Sequence, residues 1–207
     1  MPHVQLVERA FVFLVLGCAT PVLHAQQPAH PVVAREIAKA RRSGHTGIAT
    51  RILWQTDSVY STATLDALAD SLVAIVLETD SSEGARLLRS SALSALSVSG
   101  MSEGKVPYLG AGKRLFKIAQ EAPRIGDRGE AIGAITSLAN AAEVLALLRR
   151  IAVSDNPAAV GAVRNLWDMM PQKGGMEVLR ELARSGAVTE PLARRELDRV
   201  ARNHGWK

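Results

Sequence analysis

One cysteine in 207 residues excludes a disulfide framework and any cysteine-rich zinc site. Aromatic residues make up only 4% of the chain, too few for a sugar-stacking groove or a base-stacking platform. No stretch sustains two-residue alternation and β-branched runs are missing, so there is no pattern for a sheet. The longest apolar run, Ala10 to Ala19, is half the length a bilayer-spanning helix requires, about 20 residues. Apolar residues nonetheless reach 47%, enough for a sizeable core in about one domain.

The first residues read as an address. Arg9 supplies the positive charge that precedes the apolar run, Pro21 ends it, and Leu23-His24-Ala25 closes on a small residue suited to a signal peptidase. The expectation is a signal peptide over 1–25, an exported chain, and the periplasm as its compartment. Cleavage after Ala25 leaves no cysteine in the mature chain, which suits an oxidising compartment. Two alternatives stay open: an uncleaved anchor, and a membrane-anchored lipoprotein, since Val15-Leu16-Gly17-Cys18 resembles a lipobox with Cys18 as the acylated residue. Export separates the chain from cytoplasmic nucleotides and chromosomal DNA, so its net charge of +5 is not read as nucleic-acid binding.

Residues 26–61 read as a linker with a short helix over Val32 to Arg42; Trp54 and Tyr60 are the bulky anchors of its remainder. From Thr62 to Lys207 the pattern is helical. Leu65, Leu68, Leu72 and Ile75 share one face; Leu88, Ala92 and Leu96 mark a second helix with Ser82 as N-cap; Leu109, Gly112, Leu115 and Phe116 mark a third. Ile132, Ile135 and Leu138 give a fourth, with Asp127 near its positive end. Asn140 caps a fifth with Val144, Leu148 and Ile151. Asp155-Asn156-Pro157 opens a sixth, with proline in its first turn, and carries Val160, Val163, Leu166 and Met170. Met176, Leu179 and Leu182 form a seventh, and Thr189-Glu190-Pro191 opens an eighth with Ala193, Leu197 and Val200 inward.

The helices repeat in pairs. Leu115-Phe116-Lys117-Ile118-Ala119 recurs as Leu148-Arg149-Arg150-Ile151-Ala152 and as Leu179-Arg180-Glu181-Leu182-Ala183, at intervals of 33 and 31 residues. Leu72 to Ile75 stands as an earlier copy. Ala131-Ile132-Gly133-Ala134-Ile135 recurs as Ala159-Val160-Gly161-Ala162-Val163. A period in the low thirties with two helices per unit is the signature of an α-solenoid. Asp155-Asn156-Pro157-Ala158-Ala159-Val160 resembles the turn and second-helix start of a HEAT-type repeat, with Gly161 where that family carries an arginine. The resemblance covers residues 62–203 as about four degenerate units. It implies a right-handed superhelix of helix pairs and a protein-binding role without a shared chemistry. The tetratricopeptide family has a similar period, but its aromatic and glycine signature is missing. A plain helical bundle satisfies the same amphipathic pattern.

Catalytic motifs fail one by one. Ser102-Glu103-Gly104-Lys105 matches Ser-x-x-Lys, but Gly100, Gly104 and Pro107 argue against the helix that would bring lysine beside serine, and the companion motifs are missing. Gly110-Ala111-Gly112-Lys113-Arg114 lacks both the first glycine and the hydroxyl of a phosphate loop. His30, His45 and His204 have no second ligand at helical metal spacing, so neither metal nor cofactor is expected. Asp66 and Asp70 share a helix face, either as a cation or basic-partner site or as a solvated face. Charge is asymmetric along the chain: Ile52 to Ala85 holds six acidic residues and no lysine or arginine, whereas Arg86 to Lys207 holds 19 basic and 12 acidic residues.

Arg194, Arg195, Arg199 and Arg202 concentrate the basic charge on the last helix. They are the candidate contact with an acidic partner or with anionic headgroups, set against an ordinary solvated capping helix. The expected function is a non-catalytic scaffold that binds another envelope protein. The alternatives are an envelope enzyme or ligand-binding protein built from scattered residues, and a membrane-surface adaptor held by Cys18 or by the basic surface.

Overall fold

A computed structural model describes residues 31–54, 60–99, 108–169 and 174–206. The signal peptide over 1–25, Cys18, His30, the Ser102 to Lys105 motif and Met170 lie outside the described residues. Among the described residues all regular structure is helical, as α1 (Pro31–Ser43), α2 (Gly47–Trp54), α3 (Thr62–Val76), α4 (Glu83–Ser99), α5 (Ala111–Glu121), α6 (Ile125–Thr136), α7 (Ala141–Ala152), α8 (Ala159–Asp168), α9 (Gly175–Ser185) and α10 (Pro191–Asn203). Residues 26–61, read as a linker with one short helix, hold both α1 and α2.

Local chemistry sets the boundaries. Ser61 accepts from the Thr64 amide at the start of α3, Ser82 from the Ala85 amide at α4, and Asn140 from the Ala142 and Glu143 amides at α7. Glu190 does the same for α10 by accepting from the Ala193 amide at 2.6 Å, and Pro191 occupies the first turn. Gly186 ends α9 at a φ of +65°, in the left-handed region that a β-carbon disfavours. Two expectations are corrected. Pro157 lies in the turn before α8 instead of in its first turn, because the Asn156 side chain accepts from the Ala158 amide and delays the helix to Ala159. Leu109 precedes α5 and is 81% exposed, so the buried face of that helix begins at Ala111.

The helices pack as consecutive pairs: α1 with α2, α3 with α4, α5 with α6, α7 with α8, α9 with α10. Each first helix also contacts the first helix of the next pair, and each second helix the next second helix. Two rows result, with one apolar layer between them. The repeated residues occupy equivalent places in that layer: Leu115, Ile118 and Ala119 on α5, Leu148, Ile151 and Ala152 on α7, and Leu179 and Leu182 on α9 are buried, as are Leu72 and Ile75 on α3. Ala131 and Ala134 on α6 and Ala159 and Ala162 on α8 are buried too, their small side chains letting the second row close up. Gly161 serves the same end: a β-carbon there would stand 3.2 Å from the Ile132 side chain.

Side chains at the turns tie each pair to the next. Arg41 at the end of α1 pairs with Glu78, and buried Thr46 binds Ser91 of α4 through both its amide and its hydroxyl, each at 2.8 Å. Arg124 donates to the carbonyls of Glu78, Thr79 and Asp80 beyond the end of α3, at 3.0, 3.0 and 2.6 Å. Asn156 donates to the Gln120 carbonyl at the end of α5 (2.7 Å), and its oxygen accepts from Arg128 at 2.6 Å. Thr189 donates to Asp155 at 2.6 Å. Asn156 thus serves two pairs at once. Replacing it with alanine strands these partners and is expected to destabilise the chain by about 2 kcal/mol, read as a fall of several degrees in Tm by circular dichroism. Pro157→Ala, which touches none of these bonds, should leave Tm nearly unchanged.

Candidate interaction surface

The four arginines of the last helix do not act as one group. Arg194 pairs with Asp198 on its own helix at 3.1 Å. Arg199 forks onto Glu196 with Nε at 3.2 Å and Nη2 at 2.8 Å, and Glu196 also lies 3.7 Å from Arg164 of α8. The Arg199 hydrogen bond holds the Glu196 carboxyl below its ordinary range, against the opposing effect of partial burial. Arg195 and Arg202 make no ion pair among the described residues. Arg195, Arg199 and Arg202 are all exposed and lie on the face of α10 opposite buried Ala193, Leu197 and Val200. Leu192, 56% exposed, continues that line. No sequence motif marks Leu192; its spacing of three from Arg195 was the available signal.

The acidic stretch behaves differently. Arg114 of α5 reaches back 48 residues and pairs with Asp66 through Nη2 and with Asp70 through Nε, both at 3.0 Å. It also donates to the Asp66 and Gly110 carbonyls, and Tyr108 donates its hydroxyl to Asp66. Burial, and then this hydrogen bond, push the Tyr108 phenol well above its ordinary value. Asp66 and Asp70 therefore share one internal cation, which offsets half of their charge. Glu78 pairs with Arg41, Glu83 with Arg86, and the Asp80 carboxylate accepts from the Ser82 amide and hydroxyl, which holds it below the usual range. Asp57 lies outside the described residues. The charge asymmetry along the sequence is offset in part by these contacts. Arg114 could have been found earlier: it shares the buried stripe of Ala111, Leu115 and Ile118, where a guanidinium requires an anionic partner.

The glycines of the Gly110 to Arg114 segment have a packing role. A β-carbon on Gly110 would collide with the Tyr108 ring and the Arg114 guanidinium, and one on Gly112 with Glu143. Lys113 points to solvent.

His45 is exposed, with Nδ1 3.5 Å from the Gly47 amide. His204 sits between two indoles, 5.1 Å from Trp167 and 5.3 Å from Trp206, with Arg180 over the Trp206 ring. Trp167 and Trp206 are half-buried against the core. Among the described residues no group of three His, Cys, Asp or Glu could hold a metal, and no helix is long and apolar enough to cross a membrane. The groove between α4 and α6 encloses about 350 Å³ and is lined by Ser90, Ser94, Ser97, Ser137, Glu130 and Gly133 among others.

Comparison with known proteins found no matching family model, no matching curated protein and no matching solved structure.

The glycines generate a paired prediction. Gly129 and Gly133 of α6 have open space where a β-carbon would stand. Alanine at either is expected to raise stability by about 0.5–1 kcal/mol through helix propensity. Gly110→Ala is expected to lower it by about 1–3 kcal/mol, because Tyr108 and Arg114 are held by Asp66 and cannot move aside freely. Urea unfolding of the three variants measures both signs.

Proposed function

We propose that this chain is an exported, non-catalytic scaffold of the cell envelope: a right-handed, HEAT-like α-solenoid whose last helix contacts another protein through Arg195, Arg199 and Arg202. The observation that carries the reading is the packing of successive helix pairs in two rows, with the recurrent apolar residues in equivalent places. Such a stack is extended by adding pairs and offers long helix faces in place of a deep cleft, the geometry that suits protein binding. The disposition of ionisable groups supports the non-catalytic part. Arg114, Arg124, Arg128, Asp66 and Asp70 are engaged in tying neighbouring pairs together. The outer face of α10 keeps unpaired charge, and it lies on the last helix described, where a repeat array presents a polar surface. Export rests on the leader-like residues 1–25, and the periplasm follows from it.

The test is crosslinking of the tagged chain in extract from its own envelope, followed by capture and identification. The control carries Arg195→Glu, Arg199→Glu and Arg202→Glu. The expected result is one abundant protein whose recovery falls about tenfold or more in the control, equivalent to about 1.4 kcal/mol or more of lost binding. The control's unfolding curve should match that of the unmodified chain. Capture of nothing above background would overturn the scaffold reading, as would recovery only of lipid or of a small molecule.

A further inference from the structure

Resting on the scaffold reading, we infer that the outer face of α10 recognises an acidic helix of its partner, one whose carboxylates recur at three- and four-residue spacing. Leu192, Arg195, Arg199 and Arg202 follow one another at intervals of three, four and three along α10, and all four are exposed. That spacing keeps them in one line parallel to the helix axis, with the three arginines extending over about 10 Å at 1.5 Å of rise per residue. Two helices that pair along such a line bring matching positions together turn by turn, as in the seam of a coiled coil. A partner helix with Asp or Glu at the same intervals places one carboxylate opposite each guanidinium; the unpaired forks of Arg195 and Arg202 can each bind theirs through two parallel hydrogen bonds, while Arg199, whose Nε and Nη2 hold Glu196, offers its remaining Nη1. An apolar residue one turn earlier on that helix covers Leu192.

The same geometry disfavours an anionic membrane as occupant. A lipid surface rewards a broad sheet of positive charge, each basic residue near the surface adding to the attraction. Here the positive charge forms a narrow line. Glu196, which pairs with both Arg199 and Arg164, flanks it on one side, and the Arg194–Asp198 pair, neutral overall, on the other. A narrow helix meets Glu196 only at Arg199, whereas a flat headgroup layer meets the carboxylates on both sides of the line.

The probes are two alanine-rich, fluorescently labelled helical peptides of identical composition with one leucine and three glutamates each. In one the leucine is followed by glutamates at intervals of three, four and three residues; in the other the three glutamates are consecutive. Phosphatidylglycerol vesicles form the third arm. Each is titrated against the full chain at low salt, and against the chain with Arg195→Glu, Arg199→Glu and Arg202→Glu. The expected result is that the spaced peptide binds about tenfold more tightly than its isomer, that the triple substitution abolishes this preference, and that added salt weakens the binding. Leu192→Ser should weaken the spaced peptide by less than the triple substitution does. Equal affinity for the two isomers, tighter binding to vesicles than to the spaced peptide, or unchanged binding by the substituted chain would each overturn the inference. Failure of the register appears here as equal isomer affinities, whereas failure of the scaffold reading appears as an empty capture from envelope extract.

Discussion

Short helices end in carbonyls that no residue of their own helix can satisfy. In this chain the carbonyls at and just beyond the ends of α3 and α5 are met by side chains from the following pair: Arg124 at Glu78, Thr79 and Asp80, and Asn156 at Gln120. The rest of the architecture depends on that constraint. Burial of an apolar stripe holds helices together but is non-directional, and it tolerates sliding of one pair along the next. Hydrogen bonds across the turns tolerate little sliding. They set the register that places Leu115, Leu148 and Leu179 in equivalent positions along the stack.

The charge distribution follows from the same arrangement. Read along the chain, Ile52 to Ala85 is acidic and the remainder basic. Read in space, Arg114 is folded back onto Asp66 and Asp70, and Arg41 reaches forward to Glu78. Basic residues from later and earlier pairs offset part of the acidic stretch, and part of the basic surplus lies on α10, whose four arginines face Glu196 and Asp198 on the same helix. Even there two of four arginines are paired within the local surface, Arg194 with Asp198 and Arg199 with Glu196. What remains available to a partner is a line instead of a patch, and a line is selective for the shape of what it meets.

Glycine is used in two opposite ways. Gly110 and Gly112 stand where a side chain would collide with a neighbouring group, and Gly161 where one would press on Ile132, so each marks a close approach within the chain. Gly126, Gly129 and Gly133 of α6 have open space where a β-carbon would stand, Gly133 beside the groove to α4. The three weaken the helix without any packing return inside the chain. The spacing of glycines in the sequence does not separate the two uses, because collision depends on what another helix brings to the site.

Much of the helical pattern was legible in the residues. Apolar positions three and four apart identified the helices from α3 onward, and Asn140, Ser82 and Glu190-Pro191 marked their starts, because capping and amphipathic spacing are local properties. The boundary at Leu109 and the delayed start of α8 depart from the local pattern, because Leu109 is exposed and the Asn156 side chain holds the Ala158 amide. The division of the arginine quartet into paired Arg194 and an outward line of three was only half legible: spacing places 195, 199 and 202 together, but pairing with Asp198 and Glu196 depends on side-chain reach. The sequence by itself determined that this chain is helical, that its helices come in recurring pairs and which stripe of each is buried, since burial periodicity is written residue by residue. Only the tertiary structure decided which charges cancel. The partners are 37 residues apart for Arg41 and Glu78 and 48 for Arg114 and Asp66, and Coulomb attraction acts on distance in space, not on distance along the chain.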